Sequence, residues 1–163
     1  MRSEHPDHAV RSHSVVRATG PGPSAVDEDR IHGLIRRAGG RLTVPTRLLV
    51  SILAGTDRHL TADDLIAEIK RRRPGTAPST VYRVLQRLHQ LEIVGNVCSV
   101  VGPAYYHLRQ HGHAHLVCTK CRSIIDVPDT AFAQISRASR RSHDFTVDPH
   151  HSAILGRCAR CSS

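Results

Sequence analysis

An α+β chain made of two unlike halves is predicted by three observations. Residues 27–91 carry apolar positions at helical spacing, cut by breakers into four short helices. Two β-rich runs follow, Ile93–Val101 and Ala104–Leu108, around Gly102-Pro103. Beyond them, short β-rich runs alternate with two Cys-x-x-Cys knuckles. The first half reads as a winged helix-turn-helix over 27–109, and the second as a small α/β unit over 110–163 built on a four-cysteine zinc site.

Residues 1–26 are rich in Ser, Pro, Gly, Arg and His and contain Gly20-Pro21-Gly22-Pro23, the composition of a flexible tail. Asp27 is the N-cap candidate for a first helix with Ile31, Leu34 and Ile35 as its stripe and Gly39-Gly40 as its stop. The second helix starts at about Pro45, turns Leu48, Leu49, Ile52 and Leu53 inward, and ends at Gly55. Thr61 caps the third, and Asp64 completes an acidic capping box. Leu65, Ile66 and Ile69 are its buried stripe, and Pro74-Gly75 stops it. The fourth runs from about Pro78 to Leu91, with Pro suited to the first turn. Its stripe is Val81, Leu85 and Leu88, with Val84 beside it. Ser79, Tyr82, Arg83, Gln86 and Arg87 form the other face and suit a major groove, where Arg pairs with guanine and Gln with adenine. The two β-rich runs after this helix read as a two-stranded wing.

In the second half, His115–Val117 and Ile124–Val127 are strands flanking Cys118 and Cys121. Residues 129–142 place Ala131, Phe132, Ile135 and Ala138 at helical spacing, and Ser152–Leu155 is a last strand before Cys158 and Cys161. So small a unit needs a structural metal or a partner subunit to hold it.

The chain has 163 residues and a net charge of +9, with a sequence pI near 10.2. Such a balance points to nucleic acid or an anionic surface. No apolar run reaches the ~18–20 residues of a spanning helix, and no apolar signal core opens the chain, so a cytoplasmic location is expected. Five aromatic residues and no Trp disfavour a base-stacking RNA platform. Thirteen His and five Cys, four of them paired, read as metal ligands in a reducing compartment.

Two Cys-x-x-Cys turns close an all-thiolate tetrahedron with no open position, so the zinc is structural and not catalytic. The 36 residues between Cys121 and Cys158 exceed the ~15–20 of a compact ribbon, so the metal staples the last strand to the first across a helix. His111, His113 and His115 alternate along a strand, with Gly112 free to bend the run. Either the run curls round one ion or it serves two, since an extended strand sets its ends ~13 Å apart. Neither cysteine pair follows Pro, as a nucleobase deaminase requires, and there is no His-Glu-x-x-His, so an enzyme is not expected. A zinc-ribbon module binding nucleic acid or protein without metal sensing is the alternative; the Arg-bearing helical half counts against it.

Taken in order, His59-Leu-Thr-Ala-Asp-Asp-Leu, Ser79-Thr-Val-Tyr-Arg-Val-Leu, the 111–121 His and Cys run and Cys158-x-x-Cys161 resemble the ferric uptake regulator family of metal-sensing transcriptional regulators. The resemblance covers about residues 27–161. It implies a DNA-binding repressor of metal-homeostasis or oxidative-stress genes, a homodimer joined through the second half, and a palindromic double-stranded operator. It also implies structural Zn2+ on Cys118, Cys121, Cys158 and Cys161, and a regulatory ion at the hinge on His59, His111, His113 and His115. DNA contacts are implied for Thr80, Tyr82 and Arg83. Zinc-sensing relatives place cysteine near 107 and an acidic residue after the fourth helix, where this chain has His107 and Gly95. Asp126 matches an aspartate of peroxide-sensing relatives. The all-histidine set looks most like the nickel-responsive branch, so Ni2+ or Fe2+ is favoured, with Zn2+ or Mn2+ as other candidates. His107, Asp126 and His151 are kept as candidates for an additional metal. An ion joining His59 to the 111–115 run would fix the angle between halves, and so the ~34–36 Å spacing of two reading helices.

Overall fold

The computed structural model describes residues 27–97, 103–109 and 113–162; the expected tail, Cys98 and His111, together with the side chains of His113 and His150, lie outside the described set. Four helices come first: α1 (Glu28–Arg37), α2 (Val44–Ala54), α3 (Ala62–Arg72) and α4 (Pro78–Gln90). Each of the first three begins on the hydroxyl or carboxylate cap that its sequence supplies. Asp27 accepts from the Arg30 amide, Thr43 from that of Thr46, and Thr61 from that of Asp64. Asp64 returns the contact by accepting from the Thr61 amide at 2.9 Å, closing the box.

The helices bury one apolar cluster. Leu49, Val50 and Leu53 of α2 meet Leu65 and Ile69 of α3 and Val81, Leu85 and Leu88 of α4, all nearly inaccessible. On α1 the buried positions are His32 and Ile35, and Leu34, expected in the stripe, is 42% exposed. The inward face of α1 is thus rotated by part of a turn, a choice made by packing on α2 and not by hydropathy.

Strands β2 (Val94–Val97) and β3 (Tyr105–Leu108) form the antiparallel wing. A two-residue strand not expected from sequence, β1 (Leu60–Thr61), adds to the other edge of β3, giving the order β1-β3-β2. Its register sets Leu60 opposite Tyr106. The second sheet has the order β5-β4-β6. In it β4 (His113–Cys118) is central, antiparallel to β5 (Ile124–Pro128) and parallel to β6 (Ala153–Gly156). The crossover between β5 and β6 contains a 3-10 turn (Asp129–Phe132), α5 (Ala133–His143) and a second 3-10 turn (Pro149–His151). The helix expected over 129–142 therefore starts one turn late. Only Phe132 of its apolar residues is buried, and Ile135 is 44% exposed. A four-residue helix, α6 (Ala159–Ser162), ends the described chain.

The two sheets pack through one layer, in which Val97 and Tyr105 of the first meet Val117 and Ile124 of the second, with Ala153 alongside. Successive side chains of a strand point to opposite faces, so residues 95 and 107 in one sheet and 115, 126 and 153 in the other share that facing layer. Among the described residues no helix is long and apolar enough to cross a membrane.

Candidate metal centres and nucleic-acid interface

The parallel pairing of β4 with β6 brings the two knuckles together, because Cys118 lies opposite Gly156. The amide and hydroxyl of Thr119 both donate to the Gly156 carbonyl, at 2.8 and 3.1 Å. The first knuckle is a tight turn: the Arg122 amide donates to the Cys118 carbonyl at 2.8 Å, with Arg122 at φ 60°. One sulfur from each of Cys118, Cys121, Cys158 and Cys161 falls in a group no more than 4.8 Å across. Cys121 and Cys158 stand 3.7 Å apart, against the ~3.8 Å edge of a tetrahedron with ~2.3 Å zinc–sulfur bonds. The donor set therefore fits a structural zinc.

The electrostatics agree. Backbone N–H groups of Cys121 and then Cys158 point at the Cys118 sulfur and hold its thiol down to about 5. Hydrogen bonding with Ser123 lowers Cys121 as well. Cys161 is pushed up to about 12, first by burial and then by the neighbouring sulfurs. Four thiolates cannot share this volume unneutralised, and a dication is what permits the last to ionise.

The second centre lies in the layer between the sheets. His59, His107 and His115 each turn one ring nitrogen into a group within 4.8 Å. Ring centroids are 4.6 Å apart for His59 and His107, and 5.0 Å for His115 to either. Strand pairing explains this. Continuing the β1–β3 register by one residue sets His59 opposite His107, and β4–β5 pairing sets His115 opposite Asp126. Asp126 Oδ1 is 2.9 Å from His115 Nδ1 and 3.4 Å from His59 Nε2. A carboxylate on Nδ1 leaves Nε2 as the ligating nitrogen, the usual support of a metal-bound imidazole. His59 and His115 are buried.

On α4, Ser79, Tyr82, Arg83, Gln86 and Arg87 are exposed and Thr80 is half-buried. Arg87 also donates to the Ala38 carbonyl at 2.9 Å, which ties α4 to the end of α1. Beside α4 a mainly apolar cleft of about 240 Å3 is lined by Ile35, Val84 and Leu88, with Arg41, Arg83 and Arg87 also lining it.

The profile of the Ferric uptake regulator family matches residues 37–154, most of the chain, including His59, His107, His115 and Asp126. The chain belongs to the Ferric uptake regulator family. It is 28% identical over 139 residues to the ferric uptake regulation protein of Bacillus subtilis, covering 82% of this chain and 93% of that one. It is 25% identical over 127 residues to the peroxide-responsive repressor PerR of Staphylococcus epidermidis, covering 78% and 85%. Among solved structures, the Helicobacter pylori ferric uptake regulator, described as having three functional metal-binding sites, superposes with a TM-score of 0.69. That likeness, at 20% identity over 83% of this chain and 91% of the other, is one of fold. The Vibrio cholerae regulator superposes at 0.64, with 25% identity over 78% and 99%.

Within this Ferric uptake regulator fold, the expected sites are regrouped. The four cysteines stand together as expected. His59 and His115 meet, but their companions are His107 and Asp126, which the sequence suggests only as candidates for an additional metal. His111 and the side chain of His113 lie outside the described residues. His151 belongs to neither centre: its Nδ1 is 2.6 Å from Asp148, and its ring centroid is 6.4 Å from that of His89. The role of His107 had a signal in the cysteine that zinc-sensing relatives place near this position, and the structural reason is its place opposite His59. A two-residue strand is too short to reveal that in sequence.

Proposed function

We propose that the chain is a metal-responsive, DNA-binding transcriptional repressor, acting as a cytoplasmic homodimer on a palindromic operator. The observation that carries this reading is that His59, His107 and His115 come from the segment just before β1, the wing and the central strand of the second sheet. A ligand set spread over both halves couples occupancy to the geometry of the reading helix. Residues 27–109 carry the DNA-facing α4 surface, and 110–163 supply dimer contacts and the cysteine zinc. Three imidazoles with a nearby carboxylate suit Ni2+ or Fe2+, and accept Zn2+ or Mn2+.

A divalent cation bound here supplies a crosslink between wing and second sheet. His59 immediately precedes β1, which leads through the Thr61–Asp64 box into α3, the helix that packs on α4. His115 is held by Asp126, so the second sheet offers its nitrogen in one orientation. A preference of ~1–3 kcal/mol for the closed arrangement raises operator affinity ~5–150-fold. Gel-shift titration of the chelated dimer, with Ni2+, Fe2+, Zn2+ and Mn2+ restored singly, tests this; metal-blind binding refutes it.

Asp126 at the centre, together with the peroxide-responsive relatives, favours a second reading in which peroxide is the signal. In that case hydrogen peroxide releases the Fe2+-loaded dimer from DNA and leaves the Mn2+-loaded dimer bound.

A further inference from the structure

The first sheet presents a cross-strand row to the metal layer, in which His107 stands between His59 and Gly95. Gly95 is its direct partner across β2 and β3. A Cβ at position 95 would lie 2.7 Å from Cε1 and 2.8 Å from Nε2 of His107, and 3.2 Å from Cγ of Arg109. Non-bonded carbons rest at ~3.5–4.0 Å, so the ring would have to retreat by about 1 Å. On its other sides stand the rings of His59 and His115. Any retreat therefore moves the His107 nitrogens away from the place they now hold beside those two rings. Nor is glycine required by the backbone, because φ at Gly95 is outside the left-handed region. The missing side chain is what the position offers.

We infer that Gly95 is a positioning residue for the hinge metal: its bare backbone gives the His107 imidazole the space it occupies, so position 107 contributes a nitrogen and position 95 contributes nothing. A side chain at 95 and an imidazole at 107 exclude each other, and the pair acts as one determinant of the ligand set. This inference rests on the reading of His59, His107 and His115 as a metal site.

The test uses the full-length dimer with zinc on its cysteines and Co2+ as the hinge probe. Affinity and ligand-field absorption are recorded for wild type, Gly95→Ala, His107→Ala and the double variant. Gly95→Ala is expected to weaken Co2+ binding by about 10–100-fold and to give the absorption spectrum of His107→Ala. The double variant is expected to match His107→Ala, since with the ring gone the methyl has room. Zinc content and helical circular dichroism stay at wild-type values. Wild-type Co2+ affinity in Gly95→Ala overturns the inference, as does a Gly95→Ala loss that multiplies with that of His107→Ala. Wild-type affinity in His107→Ala overturns the metal-site reading itself. If Gly95→Ala fails to fold, folding of the double variant sustains the inference and its failure overturns it.

Discussion

Replacing Asp126 with Asn keeps the shape of the side chain and removes its charge. Asp126 Oδ1 accepts from His115 Nδ1 at 2.9 Å, in a site where His115 is buried and the carboxylate nearly so. A charge-assisted bond of this kind contributes ~2 kcal/mol and its neutral counterpart ~1 kcal/mol. Asn retains the acceptor, so orientation of His115 is weakened and not lost. Removing the charge facing His59 at 3.4 Å adds a further fraction of the same size. The sum, ~1–2 kcal/mol, lowers hinge-metal affinity by about 5–30-fold. In a chelator-buffered titration the metal concentration for half-maximal operator binding should rise by that factor, while the plateau at saturating metal stays unchanged. A midpoint within twofold of wild type would show that the carboxylate does not tune the histidines. A loss beyond about a thousandfold would place it in the ligand shell itself.

Other outcomes follow from the same contacts. Cys118→Ser should abolish zinc binding at the knuckles and loosen the β4–β6 pairing, read as lost zinc by metal analysis and lost amide protection in residues 153–156. Arg83→Ala should weaken operator binding at all sequences and lower the salt slope by about 1 per half-site, measured by anisotropy across salt concentrations. Glu68 accepts from Arg71 and Arg72 and is held down to about 2, from an ordinary 4.5. A carboxyl lowered on folding stabilises the fold above pH 4.5, and that contribution is lost as pH falls toward 2. The stability difference between wild type and Glu68→Gln should therefore be flat above pH 5 and shrink below 4.5, as followed by denaturant melts.

The four helices were legible because their signals are local. Caps at Asp27 and Thr61, breakers at Gly39-Gly40 and Pro74-Gly75, and the stripe of α4 act within a turn or two of the residues they govern. The cysteine centre was legible for a like reason, since a Cys-x-x-Cys turn already spaces two sulfurs. The histidine centre was only half legible. His59 and His115 could be named, but the choice of His107 and Asp126 depends on strand register, which is a long-range property. Leu34 and α5 show the same limit, since amphipathic spacing does not say which apolar face finds a partner.

The amino-acid sequence by itself determined the helices, the wing, the paired knuckles and the family, because propensity, capping and ligand spacing are written over a few residues each. Only the tertiary structure decided which imidazoles meet. Residues 59, 95, 107, 115 and 126 are distant along the chain, and become neighbours when two separately registered sheets lay one face against the other.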